Sequence, residues 1–247
     1  MDPVSLTLVV TGAFAGGFVS GLSGFALGLV ALGFWLHVLD PVLAGPLVVL
    51  ASVIAQSQSL LAVRRAFDWR RLMPFLIAGL IGVPLGIAAL GLVPAAAIRG
   101  GLGGFLVLYA GFLLLRPAGA PLARVGRAWD ATIGFVGGLM CGVGGLSGAI
   151  PSAWLPLRGW AKDQIRAVLQ PYNLLLQIVT MAGYVGTGLL DRAFWQLSLW
   201  AAPPVLLGGW LGLKLYARLD EAQFRRVVLV LLLGSGSVLA IQALLAI

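Results

Sequence analysis

The tetrapeptide Gly-Leu-Ser-Gly occurs twice in this chain, at residues 21–24 and 145–148, and each copy interrupts a long apolar segment. Glycine weakens helices and serine is a favoured residue at a helix start, so each copy predicts a break followed by a new helix that the serine caps. Free backbone N–H groups at a helix start carry partial positive charge and bind anions, whereas close helix packing is the alternative explanation for such small residues. The two motifs together predict an anion site, whose residues we expect to include Ser23, Gly24, Ser147 and Gly148.

Polar side chains in neighbouring apolar segments could complete this site. Asn173 and Gln177 are four residues apart, as are Ser52 and Gln56, so each pair shares one face of a helix. Hydrogen bonding between helices is the alternative role for any one of these side chains. Together they would offer neutral donors around an anion, and we therefore add Asn173, Gln177, Ser52 and Gln56 to the predicted substrate-binding residues.

The residue types that an enzyme needs are missing from the apolar segments. The chain has one histidine, His37, and one cysteine, Cys141, and it has neither a Gly-x-Ser-x-Gly elbow nor a His-Glu-x-x-His zinc motif. All eight acidic residues fall at predicted span ends or in loops, which also removes the buried carboxylate that acts as a proton relay in many carriers. We therefore expect no enzyme, no metal site and no cofactor.

Composition places this chain in a membrane. Of its 247 residues, 60% are hydrophobic and 10% are charged, with a mean hydropathy of +1.04, which predicts an all-α, multi-pass membrane protein in contact with the lipid bilayer. The net charge is +8, but the basic residues lie in short loops between apolar segments. Such loops orient a protein in the membrane, so we expect no nucleic-acid partner.

The chain reads as two similar halves. The two Gly-Leu-Ser-Gly motifs are 124 residues apart, and an offset of 126 then superposes Trp69 on Trp195 and Gly82 on Gly208. In each half a broken segment precedes three ordinary spans. We predict repeat 1 at 1–116 (hairpin at about 4–38, spans at about 42–63, 71–93 and 98–115), a cytoplasmic linker at 117–127, and repeat 2 at 128–247 (hairpin at about 131–157, spans at about 167–187, 195–215 and 224–246).

The distribution of Lys and Arg decides whether the broken segments cross the membrane. If both crossed, the 16 basic residues would divide equally between the two sides. If each returned as a re-entrant hairpin of two half-helices, 14 of the 16 would be cytoplasmic and only Arg99 and Arg192 would lie outside. The positive-inside rule favours the hairpins. Three full spans per half then give inverted-topology repeats, a layout typical of secondary transporters.

These features resemble the sulfite exporter TauE/SafE family, also called the toluene sulfonate uptake permeases. The resemblance covers nearly the whole chain and lies in GFVSGLSGFALG (17–28), RRAFDWRRL (64–72), IAGLIGVPLG (77–86) and GGLMCGVGGLSGAIP (137–151). It implies a transporter that moves sulfite, sulfonates or other sulfur-containing organic anions across a bacterial cytoplasmic membrane.

The function predicted from this sequence is secondary transport of a small sulfur-containing anion, such as sulfite or an organosulfonate, by alternating access. The midplane site would lie between the two hairpins. Transport of another small organic anion, such as a carboxylate, and a non-transporting role in membrane assembly are the alternatives. The sequence leaves open the exact substrate, the direction, the coupling ion and the oligomeric state.

Overall fold

The computed structural model describes residues 2–63, 68–89, 126–185 and 190–244, with seven further positions between 100 and 111. The described residues form helices joined by short turns, without a β-strand among them. The predicted span at 98–115 and the linker at 117–127 lie largely outside the described residues.

The helices of the described part follow one another closely along the chain. In order, they are α1 (Pro3–Ser23), α2 (Leu27–Trp35), α3 (Pro41–Val63), α4 (Trp69–Ala89), α5 (Arg127–Gly144), α6 (Ala149–Trp154), α7 (Lys162–Val185), α8 (Arg192–Tyr216) and α9 (Glu221–Leu244). A 3-10 helix, Leu155–Arg158, continues α6.

Several of these helices suit a bilayer. Among the described residues, α1, α4 and the stretch Leu43–Leu60 of α3 are long and apolar enough to cross a membrane. One face of α4 exposes Ile77, Ile81 and Leu85, each more than half accessible. A contiguous apolar surface of this kind is unfavourable in water and favourable against lipid. The fold is therefore that of an all-helical membrane protein.

Each broken segment turns at a glycine in the left-handed conformation. Gly24 ends α1 with φ 87°, and Gly145 ends α5 with φ 71°. The backbone N–H of Gly145 bonds to Cys141 O at 2.7 Å, and that of Leu146 bonds to Met140 O at 3.2 Å. Glycine is the residue that adopts this helix-ending conformation without a Cβ penalty. The breaks are thus set by two glycine C-caps.

After each break the chain folds back along the helix it has just left. Trp35, the last residue of α2, donates a hydrogen bond from Nε1 to Val9 O in α1 at 3.0 Å. Trp154, the last residue of α6, donates from Nε1 to Asp130 Oδ1 in α5 at 2.9 Å. Arg158 also pairs with Asp130, at 3.2 Å. Both segments are therefore helical hairpins in which a tryptophan ties the returning arm to the first arm.

The arms of the hairpins are unequal, so the prediction of two half-helices in each was wrong for the first arms. Helix α1 has 21 residues and α5 has 18, whereas α2 has nine and α6 has six. At 1.5 Å per residue, α1 is about 31 Å long, the thickness of a bilayer core. The glycines inside α1 cost the helix only about 1 kcal/mol each, and they permit close contact with other helices, so the helix continues through them.

The first such contact joins α4 of the first half to α5 of the second. A Cβ added to Gly82 would overlap Phe135 O and lie 2.9 Å from Leu139 N, and one added to Gly86 would overlap Leu139 O. These are backbone atoms that cannot swing aside. The two helices touch through their main chains, as small residues allow in membranes.

The same contact recurs between α8 of the second half and α1 of the first. A Cβ on Gly208 would overlap Phe14 O and lie 2.8 Å from Phe18 N, and one on Gly212 would overlap Phe18 O. Each hairpin thus packs its first arm against a helix from the other half of the sequence.

This pairing corrects the alignment of the two motifs. Phe14 and Phe135 each offer a carbonyl oxygen to a glycine of the partner helix, and Gly24 and Gly145 each end a helix. The residues of each pair are 121 positions apart, not 124. The first helix ends at the last glycine of its Gly-Leu-Ser-Gly motif, whereas the second ends at the first glycine of its own. The inference that the two copies of the motif occupy equivalent positions was therefore wrong, because the left-handed glycine, and not the motif, fixes the break.

The apolar residues form two cores that do not coincide with the sequence halves. One core joins α1, α2, α3 and α8, and we call these helices the first packing unit. The other joins α4, α5, α6, α7 and α9, the second packing unit, and also receives Leu22 and Phe25 from the tip of the first hairpin and Tyr216 from the end of α8. Helix α4 of the first half thus belongs to the second packing unit, and helix α8 of the second half belongs to the first. The main contact between the units is that of α3 with α7.

We predict that Gly82→Ala and Gly208→Ala each destabilise the protein. The added Cβ must push two helices apart, and overpacking of this kind costs about 1–3 kcal/mol. Gly45→Ala is the matched control, because a Cβ at Gly45 in α3 meets no atom within 4 Å. Thermal unfolding of the purified protein in detergent should show lower melting temperatures for the first two variants only. Equal melting temperatures for all three would contradict close packing at these glycines.

Candidate functional site

A small cavity lies where the two breaks meet α3 and α7. Its volume is about 20 Å³, which is room for little more than one water molecule. Six of the eight predicted site residues line it: Ser52, Gln56, Ser147, Gly148, Asn173 and Gln177. Spacing in the sequence therefore identified most of the polar lining, and both packing units contribute to it.

The first break reaches the site through its carbonyl group. Gly24 O accepts hydrogen bonds from Gln56 Nε2 and from Asn173 Nδ2, each at 3.2 Å. A carbonyl at the end of a helix has no partner within the helix, and a buried one must find another. The amides of α3 and α7 therefore meet at the end of α1.

The second break is held in a similar way from α7. Gln177 Nε2 donates to Gly145 O at 2.7 Å, and Ser147 Oγ donates to Asn173 Oδ1 at 2.8 Å. The amide of Asn173 thus bonds to both breaks, through its nitrogen to Gly24 and through its oxygen to Ser147. This single side chain links the two hairpins.

Glycine at position 148 lets the breaks approach each other. A Cβ there would lie 2.7 Å from Phe25 Cβ of the first break and 2.9 Å from Asn173 Nδ2. Gly148 is the N-cap residue of α6. A larger residue would fill the cavity between the hairpins.

Neither serine caps a helix, which corrects the prediction made from the motif. Helix α2 follows Ala26 and α6 follows Gly148, without a side-chain cap at either. Ser23 is the last residue of α1 and lies outside the cavity lining; its Oγ donates to Val19 O at 2.8 Å and accepts from Phe25 N at 3.3 Å. Serine readily bonds back to its own helix in this way, and Ser147 bonds to Asn173 instead.

The first turn of α2 nevertheless borders the cavity. Leu27, Gly28 and Leu29 line it, and the N–H groups of a first helical turn have no partner within the helix and carry partial positive charge. Each amide of Gln56, Asn173 and Gln177 has a second N–H besides the one bonded to a carbonyl. The described lining carries no charged side chain.

Two acceptors in the cavity wall have no partner. Gln56 Oε1 and Gln177 Oε1 are buried without a hydrogen bond among the described residues. An unsatisfied buried polar atom costs about 1–3 kcal/mol, so such atoms indicate a place for water or a polar ligand. The cavity is therefore polar and neutral, and its wall contains free acceptors as well as amide groups.

Two residues next to this site, Arg166 and Gln170, were not among the predicted substrate-binding residues. The charge count placed Arg166 in a cytoplasmic loop, but it lies within α7 and its side chain is 0% exposed. Its guanidinium donates to the carbonyl oxygens of Gly21 and Leu22 at the end of α1. The spacing of four and three that joins Gln177 to Asn173 continues back to Gln170 and Arg166, and this was the signal that could have found them.

The comparisons with known proteins identify a family for this chain. Residues 8–239 match the family described as "Sulfite exporter TauE/SafE". A protein of Cupriavidus necator named "Probable sulfite/organosulfonate exporter TauE" is 30% identical over 246 residues, which cover 94% of this chain and 92% of the relative. No solved structure matches the chain. The matched family consists of membrane transporters and not of enzymes. This chain accordingly belongs to the sulfite exporter TauE/SafE family.

Proposed function

We propose that this protein is a secondary transporter of the bacterial cytoplasmic membrane and that its substrate is a small sulfur-containing oxyanion, such as sulfite or an organosulfonate. The observation that carries this proposal is the neutral, donor-rich cavity between the two breaks, with Asn173 bonded to both of them. The name of the Cupriavidus relative supports the substrate class.

The chemistry of the cavity suits an oxyanion that must be released again. The oxygens of sulfite or a sulfonate accept hydrogen bonds, and the start of α2 and the three amides supply donors. Each hydrogen bond to a charged group contributes about 1.5–3 kcal/mol, so a few of them bind an anion without an ion pair. Because the lining is neutral, the anion leaves no uncompensated positive charge behind when it dissociates.

Access to the cavity requires the helices around it to separate. With about 20 Å³ available, the cavity is smaller than any sulfonate. The two packing units meet mainly at α3 and α7, next to the polar cavity, while each unit has its own apolar core. In our proposal these units, rather than the sequence halves, rock against each other and expose the site to each side in turn.

The topology that we propose is that of inverted repeats, with both hairpins returning to the side from which they start. The concentration of 14 of the 16 basic residues on one side supports it. So do the bonds of Trp35 to Val9 and of Trp154 to Asp130, which bring the end of each hairpin back towards its beginning.

Cysteine labelling in intact cells tests this topology. We expect Ala118→Cys in the linker and Ala161→Cys before α7 to be protected from a membrane-impermeant maleimide, because both should be cytoplasmic. Ala193→Cys at the start of α8 should react, and permeabilised cells should label all three. Labelling of Ala161→Cys but not Ala118→Cys in intact cells would rule out the second hairpin and the inverted repeat.

The cavity can be tested with two glutamines two residues apart in α3. Gln56 donates to Gly24 O and lines the cavity, whereas Gln58 donates to Leu206 O at 3.1 Å and does not line it. Both amides leave Oε1 without a partner among the described residues. We predict that Gln56→Leu lowers sulfite flux into proteoliposomes by about tenfold or more, the equivalent of one lost hydrogen bond to a charged ligand. Gln58→Leu should stay within about twofold of wild type, since it removes a bond of the same kind elsewhere.

The same preparation distinguishes the substrates. Flux of radiolabelled sulfite should be inhibited by unlabelled methanesulfonate and not by acetate. Inhibition by acetate alone would indicate a carboxylate carrier. A wild-type protein without flux of any of these anions would overturn the proposed function.

A further inference from the structure

A row of buried polar side chains runs along one face of α7 and extends beyond the cavity. Its members follow the spacing four, three, four, three, and none is more than 2% exposed: Arg166, Gln170, Asn173, Gln177 and Thr180. Asn173 and Gln177 line the cavity, whereas Arg166 and Gln170 lie towards the beginning of α7. Ionisable and polar side chains inside a membrane protein are costly and usually functional. The proposed cavity site does not include Arg166 or Gln170.

Arg166 is a buried cation with incomplete compensation. Its Nη1 donates to Leu22 O at 3.3 Å and its Nη2 donates to Gly21 O, at the carbonyl end of α1. The guanidinium also lies over the ring of Tyr216, 4.0 Å from the centroid. A helix end supplies only about half a negative charge. Among the described residues no carboxylate lies within ion-pair distance of Arg166; Asp163, which accepts a hydrogen bond from Tyr216, attracts the guanidinium from further away.

Arg166 and its neighbour Gln170 both carry polar atoms without partners among the described residues. Arg166 Nε and both amide atoms of Gln170 are buried and make no hydrogen bond among the described residues. The position that a Cβ of Gly24 would take is 2.9 Å from Gln170 Nε2 and 3.9 Å from Arg166 Cγ. The two side chains therefore lie against the first break, whose carbonyl is bonded to Gln56 and Asn173 of the cavity.

From this geometry we infer that Arg166 and Gln170 form a second oxyanion position, beside the cavity and towards the beginning of α7. The inference rests on the proposed function and deepens it. The free Nε–H and the second N–H of Nη2 lie on one edge of the guanidinium and bind two oxygens of a sulfite or sulfonate together. The amide of Gln170 donates to the third oxygen or to the same anion on its way from the cavity.

The spacing along α7 suits transfer between the two positions. Gln170 is three residues from Asn173, about 4.5 Å along the helix axis, and Arg166 is seven residues away, about 10.5 Å. An anion released by the neutral donors of the cavity would meet a full positive charge two turns further on. The second position would thus draw the substrate out of the cavity.

Gln170→Met distinguishes this role from a structural one. If Gln170 only fills space, removing two unpaired polar atoms should raise the melting temperature and leave transport unchanged. If it belongs to an anion position, sulfite flux should fall about tenfold while the melting temperature stays equal or rises. Gln58→Met in α3 is the matched control and should transport as wild type does. Wild-type flux in Gln170→Met would overturn the inference.

Arg166→Lys is the second variant, and it keeps the charge but loses the forked donor edge. We expect its sulfite flux to fall at least tenfold, with the affinity of the cavity for sulfite, measured by equilibrium binding, unchanged within about twofold. Arg218→Lys, at an exposed position after α8, is the matched control.

If the Arg166→Lys variant does not fold, Gln170→Met alone decides. Wild-type protein that binds and transports sulfite, with both variants as active as wild type, would overturn the second position and leave the proposed function standing. A wild type without sulfite binding or flux would overturn both.

Discussion

The carbonyl groups at the two helix ends inside this protein are the constraint on which the rest of the site depends. When α1 stops at Gly24 and α5 stops at Gly145, each leaves carbonyl oxygens that lipid cannot satisfy. The protein satisfies them with side-chain amides from two other helices, Gln56 of α3 and Asn173 and Gln177 of α7. The breaks, the two polar helix faces and the cavity between them are therefore one structure. Removing Gln177 takes away the amide that bonds to Gly145 O, whereas Gly24 O keeps one of its two amide partners when Gln56 or Asn173 is removed.

Because α4 and α8 each pack on the hairpin of the opposite half, they determine which helices around this site form one unit. Each hairpin packs tightly on a helix from the other half, through glycines such as Gly82 and Gly208 that allow main chains to touch. Such contacts leave little freedom within a packing unit, because a few tenths of an ångström would produce a clash. The contact of α3 with α7 carries the buried amides and hydroxyls instead, and hydrogen bonds can be exchanged for bonds to water or substrate at little net cost. This is the face at which we propose that the two packing units move.

Much of this could be predicted from the sequence, and the failures have physical reasons. The helix face that carries Asn173 and Gln177 follows from spacing alone, and so does that of Ser52 and Gln56. The capping role of Ser23 and Ser147 was wrong because a serine near a break has several competing partners, and only the three-dimensional fold decides among them. The length of α1 was wrong because glycines that break an isolated helix are tolerated where another main chain packs on them.

Arg166 shows the limit of counting charges. The positive-inside rule treats each arginine near a span end as solvated, yet this one turns inward and bonds to the end of α1. In the second position that we propose, it would separate two electrostatic tasks that a single site performs poorly. A cation in the cavity would bind an anion tightly and release it slowly, whereas neutral donors alone give little attraction over a distance. In the proposed arrangement Arg166 stands two helical turns from Asn173 along α7, so attraction and release would act on the anion at different points, and neither would have to be weakened for the other.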